Sequence, residues 1–443
     1  MILIQQISYL VRDADRVERN VDLLIDGNRI ARIGDIDTTA LPPETVVLSG
    51  RNRAVIPGLV NAHTHLYQSM LKGRRDDLPL VDWCDQVTFP FVRRVLHRVP
   101  QESETSIGKL WSMVGAIEMI RSGITSFIDM DMNIDGVIQA WCDVGIRGTA
   151  AMTMVDQWVP EDLMIPPEQT RENAIALIEA WHRPTVDDTL VSVFLAPSAP
   201  FTCSESLLTW IGEQSEHYDV GIETHISETA WEVEQSVAMT GHTPLAYLDK
   251  IGLLRRPLAA VHCVHLTDEE VNLALDRNVI VVYNAKSNMK LGSGIAPIVA
   301  LHRTGVPIAI GTDGAASNDL LDPFEEMRTG LLLQKVAHQD PTVLGARDAF
   351  RFATEIGARA CRSDAGMLDE GKLADVVLID LTAPHIFRLS DEIVPALVYC
   401  AKASDVESVI INGRVVLRDR DIVTIDEPAV LDEAKKVGEQ YGT

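Results

Sequence analysis

The chain is predicted to be an α/β protein built on a (β/α)8 TIM barrel, with a small β-sandwich assembled from its two ends. Three observations carry that prediction. The 443 residues suffice for a barrel of about 250 residues plus a second module. Eight apolar runs of strand length follow one another through the middle of the chain, with amphipathic helical stretches between most of them. Both ends instead alternate apolar and polar residues in short bursts separated by turn residues, the pattern of small sheets.

Taken in order, residues 1–56 supply the first part of the sandwich, with Gly27-Asn28 as a turn signal inside Val21-Asp-Leu-Leu-Ile-Asp-Gly-Asn-Arg-Ile-Ala-Arg-Ile-Gly34. The barrel is assigned to 57–368, its first strand emerging from an apolar run that begins at Ala54 and ends at Asn61. The other strand-like runs are Ile124 to Met130, Ile146 to Val155, Leu190 to Pro197, Gly221 to Ser227, Leu258 to Leu266, Val279 to Asn284 and Val306 to Asp313. Residues 369–443 complete the sandwich through Gly371 to Asp380 and a hairpin, Val406 to Leu417, that turns at Asn412-Gly413. After the first strand, Lys72 to Pro100 is a long insertion mixing charges with Trp83, Phe89 and Phe91, as expected of a lid or binding loop.

Composition narrows the partners. With 64 acidic against 39 basic side chains the formal charge is −25, which repels a nucleic-acid backbone rather than releasing its counterions. The apolar stretches are strand-sized and none reaches the roughly 20 residues needed to span a bilayer, so no membrane partner is expected. The start, Met1-Ile-Leu-Ile-Gln-Gln-Ile7, lacks the basic and small-residue features of a signal peptide, which points to the cytoplasm. Six scattered cysteines with no CxxC pair support neither a disulfide framework nor a zinc knuckle.

In a barrel of this kind the chemistry sits at the C-terminal ends of the strands, so the polar residues gathered there are informative. His63 and His65 stand two residues apart at the end of the first run, and alternate residues of a strand share a face. Glu223-Thr-His-Ile-Ser-Glu228 closes the fifth run, Ala260-Val-His-Cys-Val-His265 the sixth, and Ile310-Gly-Thr-Asp313 the eighth. Three neutral imidazoles and one carboxylate suit a divalent zinc or iron ion with a position left for water. We assign His63, His65, His225 and Asp313 to one such ion per chain, zinc before iron(II). His262 and His265, three apart, face opposite sides of one strand; His262 is expected inward and His265 structural. The chemistry then needs a base that is not a ligand, and Glu228, three residues after His225, is placed to move the proton of an activated water, with His262 and Asp313 orienting that water. Attack on an amine-bearing ring carbon followed by loss of ammonia is hydrolytic deamination.

The stretches Pro57-Gly-Leu-Val-Asn-Ala-His-Thr-His65, His225-Ile-Ser-Glu228, His262-Cys-Val-His-Leu266, Ser287-Asn-Met-Lys-Leu-Gly-Ser-Gly-Ile-Ala-Pro297, Gly311-Thr-Asp-Gly-Ala-Ala-Ser-Asn318 and Gly371-Lys-Leu-Ala-Asp375 together resemble the amidohydrolase superfamily. The similar branch holds the methylthioadenosine/S-adenosylhomocysteine deaminases, guanine deaminases and chlorotriazine hydrolases. The resemblance implies a metal-dependent barrel with a flanking sandwich acting on a small heterocycle, with Trp83, Ser198 and Asn288 at the substrate. It also implies a single metal, because Leu190 to Pro200 contains no lysine to serve as the bridging ligand of dinuclear members. Where adenosylhomocysteine-type enzymes carry a ribose-binding glutamate this chain has Val92. Ser198 replaces a histidine, and Tyr283-Asn284-Ala285 stands for the usual His-Asn-Pro. Deamination of a purine, nucleoside or pterin ring is the leading expectation. Expulsion of chloride or an amine from an s-triazine is the alternative, and a non-catalytic binding barrel is the reading from another class. Symmetric homo-oligomers are common for such barrels and compatible with this sequence.

Overall fold

The computed structural model describes residues 1–98, 107–131, 134–183, 189–388 and 392–441. Eight parallel strands form the central sheet: β1 (Leu59–Thr64), β2 (Ile124–Asp131), β3 (Arg147–Met154), β4 (Val191–Pro197), β5 (Gly221–Ile226), β6 (Leu258–His262), β7 (Ile280–Tyr283) and β8 (Ile308–Ile310). They pair strictly in sequence order. Small residues such as Ala62, Ala151, Ala196, Ala259 and Ala309 share one buried cluster with Val60 and Val261, so the barrel interior is packed rather than open. Larger side chains, including Phe127, Trp141 and Leu208, fill the layer between sheet and helices.

The seam between β1 and β8 is closed by polar groups rather than by a ladder. The Asn61 side chain accepts from the Thr312 amide at 2.8 Å and donates to the Thr312 hydroxyl at 2.7 Å. The Asp313 amide donates to the His63 carbonyl at 3.0 Å, and the Thr64 hydroxyl to the Asp313 carbonyl at 3.1 Å. Gly311 permits this approach, because a Cβ there would overlap the Asn284 side chain and lie 2.9 Å from the Cβ of His63.

Both ends of the chain interleave in one seven-stranded sheet, in which Val376–Asp380 pairs antiparallel with Arg53–Pro57 on one side and Val406–Ile411 on the other. A four-stranded sheet from residues 2–49 packs against it through Ile4, Leu23, Ile25, Val55, Val376 and Ile410. The two-ended sandwich is therefore present. The run Ala54 to Asn61 is divided, however: Arg53–Pro57 belongs to the terminal sheet, Gly58 turns the chain, and the barrel strand starts at Leu59. A side chain at Gly58 would collide with Thr125, so the crossover needs glycine. The sixth and eighth strands are also shorter than their apolar runs: the sixth ends where His262 and Cys263 leave extended backbone, with φ of 71° and 51°, and the eighth spans only Ile308–Ile310, with Asp313 at φ 62° beyond it.

The insertion after β1 is largely helical: Leu80–Trp83, a π-type stretch Cys84–Thr88, and Phe89–Arg98. Trp83, Val87 and Phe91, spaced by four, form the buried stripe against Leu71 and Trp111. Its expected end at Pro100 lies outside the described residues. Among the described residues no helix is long and apolar enough to cross a membrane.

Candidate active site

His63 and His65 leave the end of β1, where pairing with β2 shifts register between Asn61 and Thr64. Such irregularities re-aim side chains beside active sites. His225 comes from the end of β5, and the ligand-type atoms of His63, His65 and His225 lie within 4.8 Å of one another. Ring centroids are 4.7 Å apart for His63 and His65, 4.9 Å for His63 and His225, and 5.4 Å for His65 and His225. Asp313, beyond β8, puts Oδ1 3.5 Å from Nε2 of His63 and 3.4 Å from Nε2 of His65. The four expected ligands therefore converge from three strand ends.

Neighbouring groups fix which nitrogen of each ring is free. The His65 Nδ1–H donates to the Met130 carbonyl at 2.6 Å and the His225 Nδ1–H to the Ser198 carbonyl at 2.5 Å. Nε2 of both rings is thus left with its lone pair, the form a metal requires. His63 is fully buried, yet neither ring nitrogen makes a hydrogen bond. Its Nδ1 faces the buried carboxylate of Glu223 at 3.3 Å, leaving Nε2 for the centre of the cluster. Asp313 is held by the Ser287 hydroxyl, donating to Oδ2 at 2.5 Å, and by the Gly314 amide, donating to Oδ1 at 2.7 Å.

The electrostatics ask for a cation in this space. Burial works against charge on His63, but Glu223 and Asp313 outweigh it and hold its pKa up to about 10. Burial, with the charge on His63, lowers His65 to about 4, and burial carries His225 well below its ordinary value. Two neutral imidazoles, a third that draws a proton for lack of another positive charge, and an ionised carboxylate fit a divalent ion. His63, His65 and His225 are, among the described residues, the one group of three or more histidine, cysteine or acidic side chains with ligand atoms this close.

Across the cluster stand Glu228 and His262. Glu228 follows β5 by two residues, is buried, and lies with Oε2 3.5 Å from Nε2 of His262 while Oε1 accepts from the Ser293 hydroxyl at 3.2 Å. Burial, reinforced by Asp313, pushes the Glu228 pKa up to about 8. The His262 Nδ1–H donates to Asn288 Oδ1 at 2.8 Å, and burial lowers this ring to about 4, so its Nε2 is a neutral acceptor. His262 is inward as expected. His265 is outside the cluster, its Nε2–H donating to the Ser293 carbonyl at 2.8 Å.

A cavity of about 170 Å³ opens over these groups and is bounded by His65, His225, Glu228, His262 and Asp313. Trp83 and Ser198 line it, and so do Phe89 and Val92 of the insertion. Phe91 instead packs on Trp111, with centroids 4.9 Å apart. Asn288, expected at the substrate, is not among the lining side chains and sits behind His262, fixing its tautomer. Sequence reasoning missed Glu223, Ser287 and Ser293, which orient His63, Asp313 and Glu228 from a strand interior, the helix Ala285–Lys290 and a loop, each remote in sequence from its partner. Glu223 alone carried a signal, as a carboxylate on the inward side of β5 two residues before His225.

A closed barrel whose strand ends hold histidines and an aspartate around a cation-sized space, with a buried carboxylate at its open side, defines a metal-dependent hydrolase. The amidohydrolase family model matches residues 54–416. The chain belongs to that family, and is a hydrolase acting on carbon–nitrogen bonds other than peptide bonds. It is 36% identical over 422 residues to a 5'-deoxyadenosine deaminase of Methanocaldococcus jannaschii, covering 94% of this chain and 96% of that one. A 5-methylthioadenosine/S-adenosylhomocysteine deaminase of Caldanaerobacter subterraneus subsp. tengcongensis is 35% identical over 440 residues, with 98% and 97% covered. The crystal structure of an adenosine deaminase from Xanthomonas campestris with bound zinc superposes with a TM-score of 0.90 at 32% identity, covering 99% of this chain and 98% of that one.

Proposed function

We propose that this chain is a hydrolytic deaminase of an amino-substituted nitrogen heterocycle, dependent on one divalent ion, zinc, held by His63, His65, His225 and Asp313. The observation that carries the reading is that the open side of the histidine cluster faces the same cavity as Glu228 and His262, which are 3.5 Å apart. An ion bound there supplies water made acidic enough to lose a proton near neutral pH. The chain's own residues do the rest. Glu228 takes that proton on Oε2 and delivers it to a ring nitrogen, where it stays, and then passes the second proton of the same water to the departing amine. His262 Nε2 and Asp313 accept hydrogen bonds that aim the water at the amine-bearing carbon, and Trp83 forms an aromatic wall of the cavity that receives the ring. One water is consumed, a carbonyl replaces the amine, and ammonia leaves. Ser198 and Asn288 act through their hydrogen bonds to His225 and His262.

The reading is tested by screening aminopurines, nucleosides, pterins and aminotriazines with zinc-loaded protein, measuring ammonia. Ammonia with stoichiometric ring carbonyl supports deamination. Release of chloride or alkylamine alone from triazines moves the assignment to that leaving group. Absence of any release, with the metal in place, leaves a binding barrel.

A further inference from the structure

Four segments that follow four different strands each bring one aromatic ring to the cavity: Phe89 at the start of a helix after β1, Trp158 in the loop after β3, Phe201 in a 3-10 turn after β4 and Trp231 in the first turn of the helix after β5. The rings touch one another. Centroids are 5.1 Å apart for Trp158 and Phe201, 5.3 Å for Phe201 and Trp231, 5.9 Å for Trp158 and Trp231, and 5.9 Å for Phe89 and Trp158. Trp158 at the centre is 39% exposed, an unusual cost in water for the largest apolar side chain. Its backbone is also in the left-handed region, φ 68°, which a bulky residue adopts only when its surroundings impose it. Exposure and strain converge on one residue whose ring closes the shelf.

The rest of the cavity agrees in chemistry. Leu80, Val81, Val92, Val155 and Leu163 face it, and among the described residues no lysine or arginine lines it. The carboxyl side chains that do are Glu228, Glu232 and Asp313. A carboxylate or phosphate tail lying on the aromatic shelf would find no lysine or arginine to pair with. A flat apolar or aromatic tail would cover the exposed shelf with edge and face contacts.

We infer that Phe89, Trp158, Phe201 and Trp231 form a subsite for an apolar substituent, so that the preferred substrate is a neutral aminoheterocycle bearing an alkyl, thioalkyl or aryl group rather than an anionic side chain. This rests on the deaminase reading for the ring and extends it to the ring's substituent.

The test uses zinc-loaded full-length protein and matched compounds. The rings are 6-aminopurine, 2-aminopurin-6-one and 2-amino-s-triazine, each unsubstituted, N-benzylated and N-carboxypropylated. Dissociation constants by calorimetry and ammonia release are recorded separately. The benzyl derivative of at least one ring binds at least about tenfold tighter than its carboxypropyl counterpart, and Trp158→Ala shrinks the ratio of benzyl to unsubstituted affinity by about tenfold. That pattern without ammonia keeps the subsite and removes the deaminase reading. Ammonia release with equal constants for benzyl and carboxypropyl compounds, or an unchanged ratio in folded Trp158→Ala, overturns the subsite and leaves the deaminase reading standing. Binding of none of the compounds overturns the subsite. Phe201→Ala, read the same way, replaces Trp158→Ala if the latter does not fold.

Discussion

Glu228→Gln isolates the proton transfer. Glu228 is 4% exposed, and its two oxygens have distinct neighbours: Oε1 accepts from Ser293 at 3.2 Å and Oε2 lies 3.5 Å from the unprotonated Nε2 of His262. Glutamine fits the same space, with its oxygen toward Ser293 and its amide N–H toward His262. Fold, metal content and substrate affinity should therefore be kept. Burial holds the native carboxyl near a pKa of about 8, so close to neutral pH it can both release and accept a proton, which glutamine cannot. General acid–base catalysis contributes about 10²–10⁴-fold, or about 3–5 kcal/mol of barrier, and one carboxylate serving as base to water and acid to the ring should reach the upper part of that range. Steady-state ammonia release gives kcat, and elemental analysis of the same sample gives metal. Near-normal turnover with metal retained would mean the proton travels by another residue. Loss of the metal would make Glu228 a ligand and reopen the assignment of Asp313.

Trp83, 5% exposed at the cavity wall with an indole N–H that has no hydrogen-bond partner, should cost about tenfold in kcat/KM when replaced by alanine; unchanged kinetics in a folded variant return it to a packing role. Glu326 is buried against Asn318, and burial raises its pKa from 4.5 to about 8. The folded state therefore holds more protons than the unfolded between those values, and native stability falls as pH rises through that window. Glu326→Gln removes this dependence, so the Tm gap between variant and native protein should widen in the variant's favour from pH 5 to pH 8, whereas a constant gap refutes the shift. Arg147 pairs with both oxygens of Asp375 at 3.1 and 3.2 Å and ties the start of β3 to the terminal sheet; Arg147→Ala strands that buried carboxylate and should cost about 3–5 kcal/mol in denaturant unfolding. A loss under about 1 kcal/mol would show the pair to be solvated.

The convergence of His63, His65, His225 and Asp313 was legible because its signals are local. Each of these residues stands at or just past the end of an apolar run, and His63 and His65 are a two-residue repeat on one strand. Its support was not legible, because Ser293 reaches Glu228 across 65 residues of chain and Ser287 reaches Asp313 across 26. Hydrophobic periodicity could not show that the run from Ala54 changes sheets at Gly58, since both sides are buried and equally apolar. The insertion read as a loop because its charges mask a four-residue spacing, Trp83, Val87 and Phe91, that packing selects as a helix. Asn288 was placed at the substrate by motif alone. Its position behind His262 is set by the helix Ala285–Lys290, which follows β7 directly.

The central claim is that three histidines and an aspartate hold one ion on which deamination depends. Protein stripped by chelation, then titrated with zinc while bound metal and ammonia release are followed together on a substrate found in the screen, tests it most directly. Activity should be absent without metal, rise in proportion to zinc bound, and saturate at about one equivalent per chain; full activity in stripped protein, or a requirement for a second equally tight equivalent, would contradict it.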